Sequence, residues 1–345
     1  MEATRRFPAE WEKQKGILLC FPENGNDWPG KYHAIQWVFV EFIKKVAQYE
    51  TVYLVVANNK LKEKVSDRLE RAHVQLENIQ FIIQKTNRSW MRDSGPIIVE
   101  SADKTTEAIN FNFNGWAKYK NYHLDKAIPG MISQKLGIPL TVATYKGKPV
   151  ILEGGAIDSN GKGSLLTSEE CLLHPSVQVR NPGFTKTDYE AVFQEYLGVS
   201  NIIWLGNGIL GDDTHGHIDD LCRFVNPDTI ITVTESNKKD KNYKALKDNL
   251  ERLKNAKLET GNSPNIVELP MPQKLMFEDL RLPASYANFL IINGAVLVPV
   301  FNDPNDRIAL NILADCFPKR DIIGISAIDL IWGFGTLHCL SQQIY

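Results

Sequence analysis

GILLCFPENGNDWPGKYHAIQWVFVEFIKKVAQYETVYLVVAN (16–58) is the stretch on which the fold turns. GILLCFP (16–22) is an apolar run of strand length. HAIQWVFVEFIKKVAQY (33–49) follows with helical periodicity, and TVYLVVAN (51–58) is again rich in β-branched residues. Strand, helix and strand in that order predict an α/β unit. LKEKVSDRLERAH (61–73) then reads as a charged amphipathic helix and IQFIIQ (79–84) as a further strand. The alternation continues through KPVILEG, SLLTS, TDYEAVFQEYLG, NIIWLG, DTIITVTE, a charged helix near 238–255, ANFLIING, AVLVPVF, IALNILADCF and DIIGISA. KDKNYKALKDNLERLKNAK (239–257) is rich in lysine and reads as a solvated helix face.

The whole chain has 345 residues, and at this length a domain buries roughly three quarters of the surface it exposes when unfolded. No disulfide or metal staple is needed. Lys and Arg number 39 against 41 Asp and Glu, for a formal charge of −2. That balance argues against a nucleic-acid partner, which selects for a basic excess. The start, MEATRRFPAEWEKQKG, lacks the apolar core of a secretion signal. The longest apolar run, FLIINGAVLVPVF (289–301), is too short to span a bilayer. The five cysteines, at 20, 171, 222, 316 and 339, are scattered and form no CxxC. The expectation is a reduced protein of the cytoplasm, with no disulfide framework and no structural zinc.

Four short segments rich in Gly, acids, His or Cys punctuate the alternation: WMRDSGP (90–96), LEGGAID (152–158), DDTHGHIDD (212–220) and GTLHCLSQQ (335–343). Asp93, Glu153, His217 and Cys339 mark them, at successive spacings of 60, 64 and 122 residues. The last spacing is close to two repeats, which puts a fifth marker near 278. Five α/β units of similar length are therefore expected, each sending one turn toward a common axis.

These turns also hold the reactive residues. Cys339 has Gly-rich, polar flanks, and a thiolate is a strong nucleophile where its surroundings favour the anion. His338 beside it would point the other way on an extended strand, so it reads as a packing residue. His217 and Asp219 are two apart and would face one side of a strand. A histidine there can act as general acid and then general base, although HxHxD also matches a zinc or iron ligand set. Asp93, paired with Asp219 across a pocket, suits a planar guanidinium, with Trp90 as a stacking wall. Glu153 would orient His217 or take a third guanidinium nitrogen. Together they form a set suited to thiolate attack on a cationic carbon.

With these residues in view, the chain resembles the agmatine deiminase family, near its bacterial peptidyl-arginine-deiminase-like branch, within the guanidine-modifying superfamily. The matching stretches are FPAEWE (7–12), WMRDSGP, FNFNGWAKY (111–119), EGGAID (153–158), LLTSEECLL (165–173), RNPG (180–183), DDTHGHIDD, SYANFLIINGAVLVPVF (285–301), FPKRDIIGI (317–325) and LHCLSQQ (337–343). They run in order across nearly the whole chain. The resemblance implies a five-bladed α/β propeller of ββαβ units, the pentein fold with pseudo-fivefold symmetry, as one catalytic domain over 1–345. It implies Cys339 as nucleophile, His217 as general acid and base, Asp93 and Asp219 as guanidinium clamps, and Glu153 as the carboxylate that orients His217. Trp90 and Asp213 match positions lining the substrate channel, with Asp213 placed to meet the distal amine of agmatine. No cofactor or metal is implied.

The implied reaction converts agmatine to N-carbamoylputrescine and ammonia, in the formation of putrescine. A homodimer is the implied assembly, with no membrane or nucleic-acid partner. Two departures stand out. The chain reads Gly333-Phe334-Gly335-Thr336-Leu337-His338-Cys339 where the family usually has Gly-Gly-Gly-Asn-Ile-His-Cys, so Phe334 and Thr336 are expected to reshape the pocket rim. His215 stands where the family has Asp or Asn, and is expected beside the amine-binding end. The alternative reading is a deiminase of peptidyl or free arginine with the same chemistry. Such a substrate calls for an arginine partner to its carboxylate, and no arginine in the motifs offers itself; Arg180 reads as structural. Amidinotransfer and a catalytically dead polyamine binder are the further rivals.

Overall fold

The computed structural model describes residues 5–345. Five of its sheets repeat one pattern: a short strand pairs antiparallel with a second, and a helix then carries the chain to a third that runs parallel to the second. Ile97–Ser101, Thr106–Asn110 and Leu140–Val142 follow it, with the helix Ile128–Leu136 as crossover. So do Asp158–Ser159, Ser164–Ser168 and Asn201–Leu205 across the helix Lys186–Leu197. Cys222–Asn226, Thr229–Thr234 and Asn265–Pro270 use the helix Tyr243–Lys254. Leu290–Ile292, Ala295–Val300 and Asp321–Ser326 use the helix Asn305–Cys316.

The fifth sheet joins the two ends of the chain. Its opening strand is the C-terminal Ser341–Ile344, antiparallel to Gly16–Cys20, which runs parallel to Thr51–Val56 across the helix Tyr32–Ala47. Ile79–Ile83 adds a further parallel strand. Arg5–Arg6 pairs with Ile97–Ser101, so the N-terminal segment bridges two units.

Local chemistry accounts for these elements. All five residues of Gly16–Cys20 are buried, as a strand covered on both faces requires. Tyr32–Ala47 buries Ile35, Phe39, Phe42, Ile43 and Val46, one stripe at helical spacing. Thr185 and Asp188 form a capping box on Lys186–Leu197, and Gly198 ends that helix at φ +66°. A Cβ at Gly198 would fall on the Arg5 carbonyl, which only glycine avoids.

Several sequence expectations change in the folded chain. KPVILEG is not a strand of any main sheet. Lys148–Pro149 pairs only with Thr144–Tyr145, and Ile151 makes a single bridge to Asn112. The charged helix near 238–255 is shorter, Tyr243–Lys254. The fifth marker near 278 falls at the tip of the exposed hairpin Met276–Phe277/Leu280–Arg281. The turn of the unit opened by Leu290–Ile292 comes later, at residues 285–288. Each sheet's opening strand is thus preceded by one polar turn: residues 90–95, 153–156, 217–220, 285–288 and 336–339.

Candidate active site

Asp93 sits in the one-turn helix Met91–Ser94 and is buried. Its Oδ2 accepts the indole N–H of Trp116 at 2.9 Å, and its Oδ1 accepts the Gly155 amide at 3.2 Å. Gly155 must be glycine here: a Cβ would lie 2.5 Å from His217 Nδ1 and 2.9 Å from Asp93 Oδ1. Glu153, one turn away, is fully buried. The Nε of Arg180 donates to both its oxygens at 3.2 Å.

His217 lies between these two acids. Its Nδ1 is 3.8 Å from Asp93 Oδ1 and its Nε2 is 3.6 Å from Glu153 Oε2. Among the described residues neither ring nitrogen has a hydrogen-bond partner. The turn that presents His217 is held by Asp212, whose Oδ2 accepts the amides of Gly216 and His217. Residues 218–220 form a 3-10 turn, not a strand. The expected strand parity of His217 and Asp219 therefore does not apply, although both side chains are buried at the site.

Asp219 Oδ2 lies 3.6 Å from Cys339 Sγ and 2.7 Å from His338 Nδ1. Its Oδ1 is buried and has no hydrogen-bond partner among the described residues. The Asn288 amide donates to Cys339 Sγ at 3.0 Å. Thr336 donates to the Asn288 carbonyl oxygen at 2.7 Å, which also accepts the His338 amide at 3.1 Å. The expectation that Thr336 shapes the rim is thus corrected: it is buried behind Cys339 and fixes Asn288. The packing assignment of His338 is also corrected. Residues 336–340 form turns, and the His338 ring bridges Asp219 and Glu10, with Nε2 2.8 Å from Glu10 Oε2. Glu10 in turn accepts from the buried Arg223.

Cys339 and Asp93 open onto a cavity of about 340 Å³. Trp90 forms one wall, backed by Trp28 at 5.4 Å between ring centroids, and Phe334 lies on the rim at φ +67°. His217, Asp219 and Glu153 stand just behind this lining, at 0–1% exposure. Asp213 also lines the cavity, but its carboxylate is held by the Lys118 ammonium and, at 2.7 Å, by the Tyr119 hydroxyl. His215 is not in the wall. Its ring faces Glu170 and packs edge-on against His174. Arg88 does line the cavity, ion-paired with Asp27 and 4.2 Å over the Tyr119 ring.

Charge decides the resting state. Burial, then Asp219, Asp220 and Asp93, push the Cys339 thiol well above its ordinary value. For His217 burial works against the cation, but Asp93 and Glu153 prevail and raise it well above the ordinary imidazole range. Burial moves Asp93 up to about 6. Glu153 is also disfavoured by burial, yet Arg180 and His217 hold it near about 2. Asp219 is pulled below the usual carboxylate range against its burial, chiefly by His338. The resting site thus keeps a neutral thiol beside two anions aimed at one space, which suits a planar cation.

Glu153, Cys171 and His217 offer three donor atoms within 4.8 Å of one another. The Arg180 cation on both Glu153 oxygens opposes a second cation there. Sequence reasoning missed Glu10, Arg88, Trp116, Lys118, Asn288 and the true place of His338. A glutamate in FPAEWE, an asparagine in SYANFLIINGAVLVPVF, and the Trp and Lys of FNFNGWAKY were the hints at four of them.

Known proteins resemble this chain over nearly its whole length. The Porphyromonas-type peptidyl-arginine deiminase family model matches residues 6–344. An agmatine deiminase of Pseudomonas syringae pv. tomato is 31% identical, covering 98% of this chain and 94% of the relative. A C. jejuni agmatine deiminase solved as a cysteine-to-serine variant with substrate bound has a TM-score of 0.86 and 34% identity, covering 99% of this chain and 96% of that one. The Enterococcus faecalis agmatine deiminase, described as catalysing its reaction, has a TM-score of 0.88 and 27% identity, with coverage of 99% and 96%.

Proposed function

The chain belongs to the Porphyromonas-type peptidyl-arginine deiminase family, and from that premise we propose that it is an agmatine deiminase, a hydrolase of the linear amidine C–N bond. The observation that carries this reading is that Cys339 and Asp93 line one cavity, with Asp219 directly behind Cys339 and His217 seated between Asp93 and Glu153. Two buried carboxylates match the forked N–H groups of a guanidinium, and the cation offsets the anions that disfavour the thiolate.

As the cationic substrate binds, the Cys339 thiol gives up its proton to solvent, and the Sγ thiolate adds to the guanidinium carbon. Protonated His217 gives its proton to the departing ammonia, and an S-alkylthiouronium remains on Cys339. Neutral His217 then takes a proton from water as its oxygen adds to that carbon. Sγ leaves with the electron pair, the remaining hydroxyl proton passes to solvent, the thiolate is reprotonated, and the ureido product, N-carbamoylputrescine, is released. Glu153 orients His217, and Trp90 packs along the substrate chain.

On this reading residues 1–345 form one catalytic domain. The five repeated sheets, the last strand closing on the first unit, support a five-bladed ring with the polar turns at its centre. The resemblance supports a homodimer of the cytoplasm that works without metal or cofactor and feeds putrescine formation. Among the described residues no helix is long and apolar enough to cross a membrane.

Arg88 in the cavity wall favours the second reading, a deiminase of free or peptidyl arginine, because it could meet a carboxylate. Its pairing with Asp27 commits that charge elsewhere. Ammonia and ureido product from agmatine, arginine and an arginine peptide, assayed side by side with Cys339→Ala as control, decide between them. Turnover of agmatine that vanishes in the variant is expected. Turnover of arginine or peptide alone would transfer the chemistry to the second reading.

A further inference from the structure

Lys118 and the distal half of agmatine are the same chemical object, a primary ammonium on a four-carbon chain. In the structure that object is seated on Asp213. The seat is built. Gly115, Trp116 and Ala117 adopt left-handed backbone in succession, at φ +68°, +58° and +53°. Such geometry in Trp and Ala persists only where surroundings impose it. Here Asn114 Oδ1 accepts the Ala117 amide at 2.8 Å, and the Gln178 amide donates to the carbonyls of both Trp116 and Asp213 at 3.1 Å. The turn that aims Trp116 at Asp93 therefore also delivers Lys118 to Asp213. Tyr119 takes the second Asp213 oxygen. Asp27, another acid lining the cavity, is paired with Arg88. Both of these cavity-lining acids thus carry a cation of the protein's own.

We propose that Lys118 is a specificity-determining residue, an internal competitor whose ammonium occupies Asp213 until the terminal ammonium of a substrate displaces it. The inference rests on the agmatine reading of this site. Its consequence follows from occupancy: the affinity for a substrate that needs Asp213 is reduced by the fraction of time Lys118 holds it. The Lys118 side chain is 42% exposed and that of Asp213 21%, so the competition is modest and the lysine has solvent to swing into. A guanidine without a terminal amine has no use for Asp213 and does not compete.

The test is steady-state kinetics of native enzyme, Lys118→Met, Asp213→Asn and the double variant, with agmatine and 1-butylguanidine. Lys118→Met is expected to lower KM for agmatine about two- to fivefold, the size of a partly exposed ion pair, and to raise the agmatine-to-butylguanidine ratio of kcat/KM by the same factor. In the Asp213→Asn background the gain should vanish, which a double-mutant cycle reads directly. An unchanged or raised KM for agmatine in Lys118→Met would overturn the proposal, because the lysine would then be idle or would be presenting Asp213 to the substrate. Native enzyme that turns over butylguanidine and not agmatine would overturn the agmatine reading itself, and with it this inference.

Discussion

His338 Nδ1 lies 2.7 Å from Asp219 Oδ2, so the residue next to the candidate nucleophile holds one of the two carboxylates aimed at the substrate. Its other nitrogen reaches Glu10, which is anchored by Arg223. The N-terminal segment, the strand Cys222–Asn226 and the C-terminal turn are thereby tied into one buried charged chain. Removing one member leaves the others buried and uncompensated. His338→Ala is expected to cost about 1–3 kcal/mol of stability, the penalty for leaving the buried Asp219 and Glu10 oxygens without their hydrogen-bond partner. Urea denaturation of the ligand-free protein measures it. A loss under 1 kcal/mol would show that the chain is not energetically connected.

Trp116 is buried and donates to Asp93 Oδ2. A phenylalanine keeps much of its edge-on packing against Phe113 but has no N–H. A hydrogen bond to a charged group is worth about 1.5–3 kcal/mol, so Trp116→Phe should lower kcat/KM for agmatine about 10- to 100-fold. Thermal unfolding should change little by comparison. Equal losses of stability and activity would mean the indole serves packing alone.

The acid limb of activity should follow Asp93. Its carboxyl is raised to about 6, so falling pH neutralises one clamp earlier than an ordinary carboxylate would allow. kcat/KM reports the free enzyme, and it should decline as pH drops through about 6. Asp93→Asn should leave a residual activity without that limb. A flat profile down to pH 5 would contradict the raised carboxyl.

Cys339 should react slowly in the free enzyme. Burial and its three acidic neighbours push the thiol well above its ordinary value of 9.0. Alkylation by iodoacetamide, followed by mass spectrometry at Cys339, should still be climbing at pH 9.5. Asp219→Asn removes one of those anions and should speed the reaction at fixed pH. A plateau near pH 7 would instead indicate a thiolate already formed before substrate binds.

Gly155→Ala offers a purely steric test. The added methyl would lie 2.5 Å from His217 Nδ1 and 2.9 Å from Asp93 Oδ1, closer than real contacts allow. His217 or Asp93 must move, and small displacements of positioned groups cost on the order of 100-fold in rate. Turnover of agmatine should fall by that order, with circular dichroism unchanged. Full activity would show that the two side chains have room the structure does not display.

The α/β alternation and the run of polar turns were legible because each is written in a short window. Strand runs and helical stripes span five to sixteen residues, as in Gly16–Cys20 and Tyr32–Ala47. Cys339, Asp93, Glu153, His217 and Asp219 stood out for the same reason: reactive types inside Gly-rich turns. Errors arose where a local rule was extended across a turn. Strand parity was assigned to His217 and His338, yet both sit in turns. The fifth marker was extrapolated by spacing to 278, whereas Asn288 carries that unit's contribution. His215, placed beside the cavity by sequence adjacency to Asp213, turns away because its left-handed backbone at φ +67° aims it at Glu170.

The sequence by itself determined the periodicity of the units, the reactive residue types and their order along the chain, because those depend on neighbours within a few positions. Only the tertiary structure decided which charge meets which. Asp219 and His338 are 119 residues apart, Glu10 and His338 are 328 apart, and Lys118 and Asp213 are 95 apart. Their pairing follows from how the sheets bring their opening turns together. In a buried setting, where an unpaired charge is costly, that pairing sets both the state of the thiol and the occupancy of the far end of the cavity.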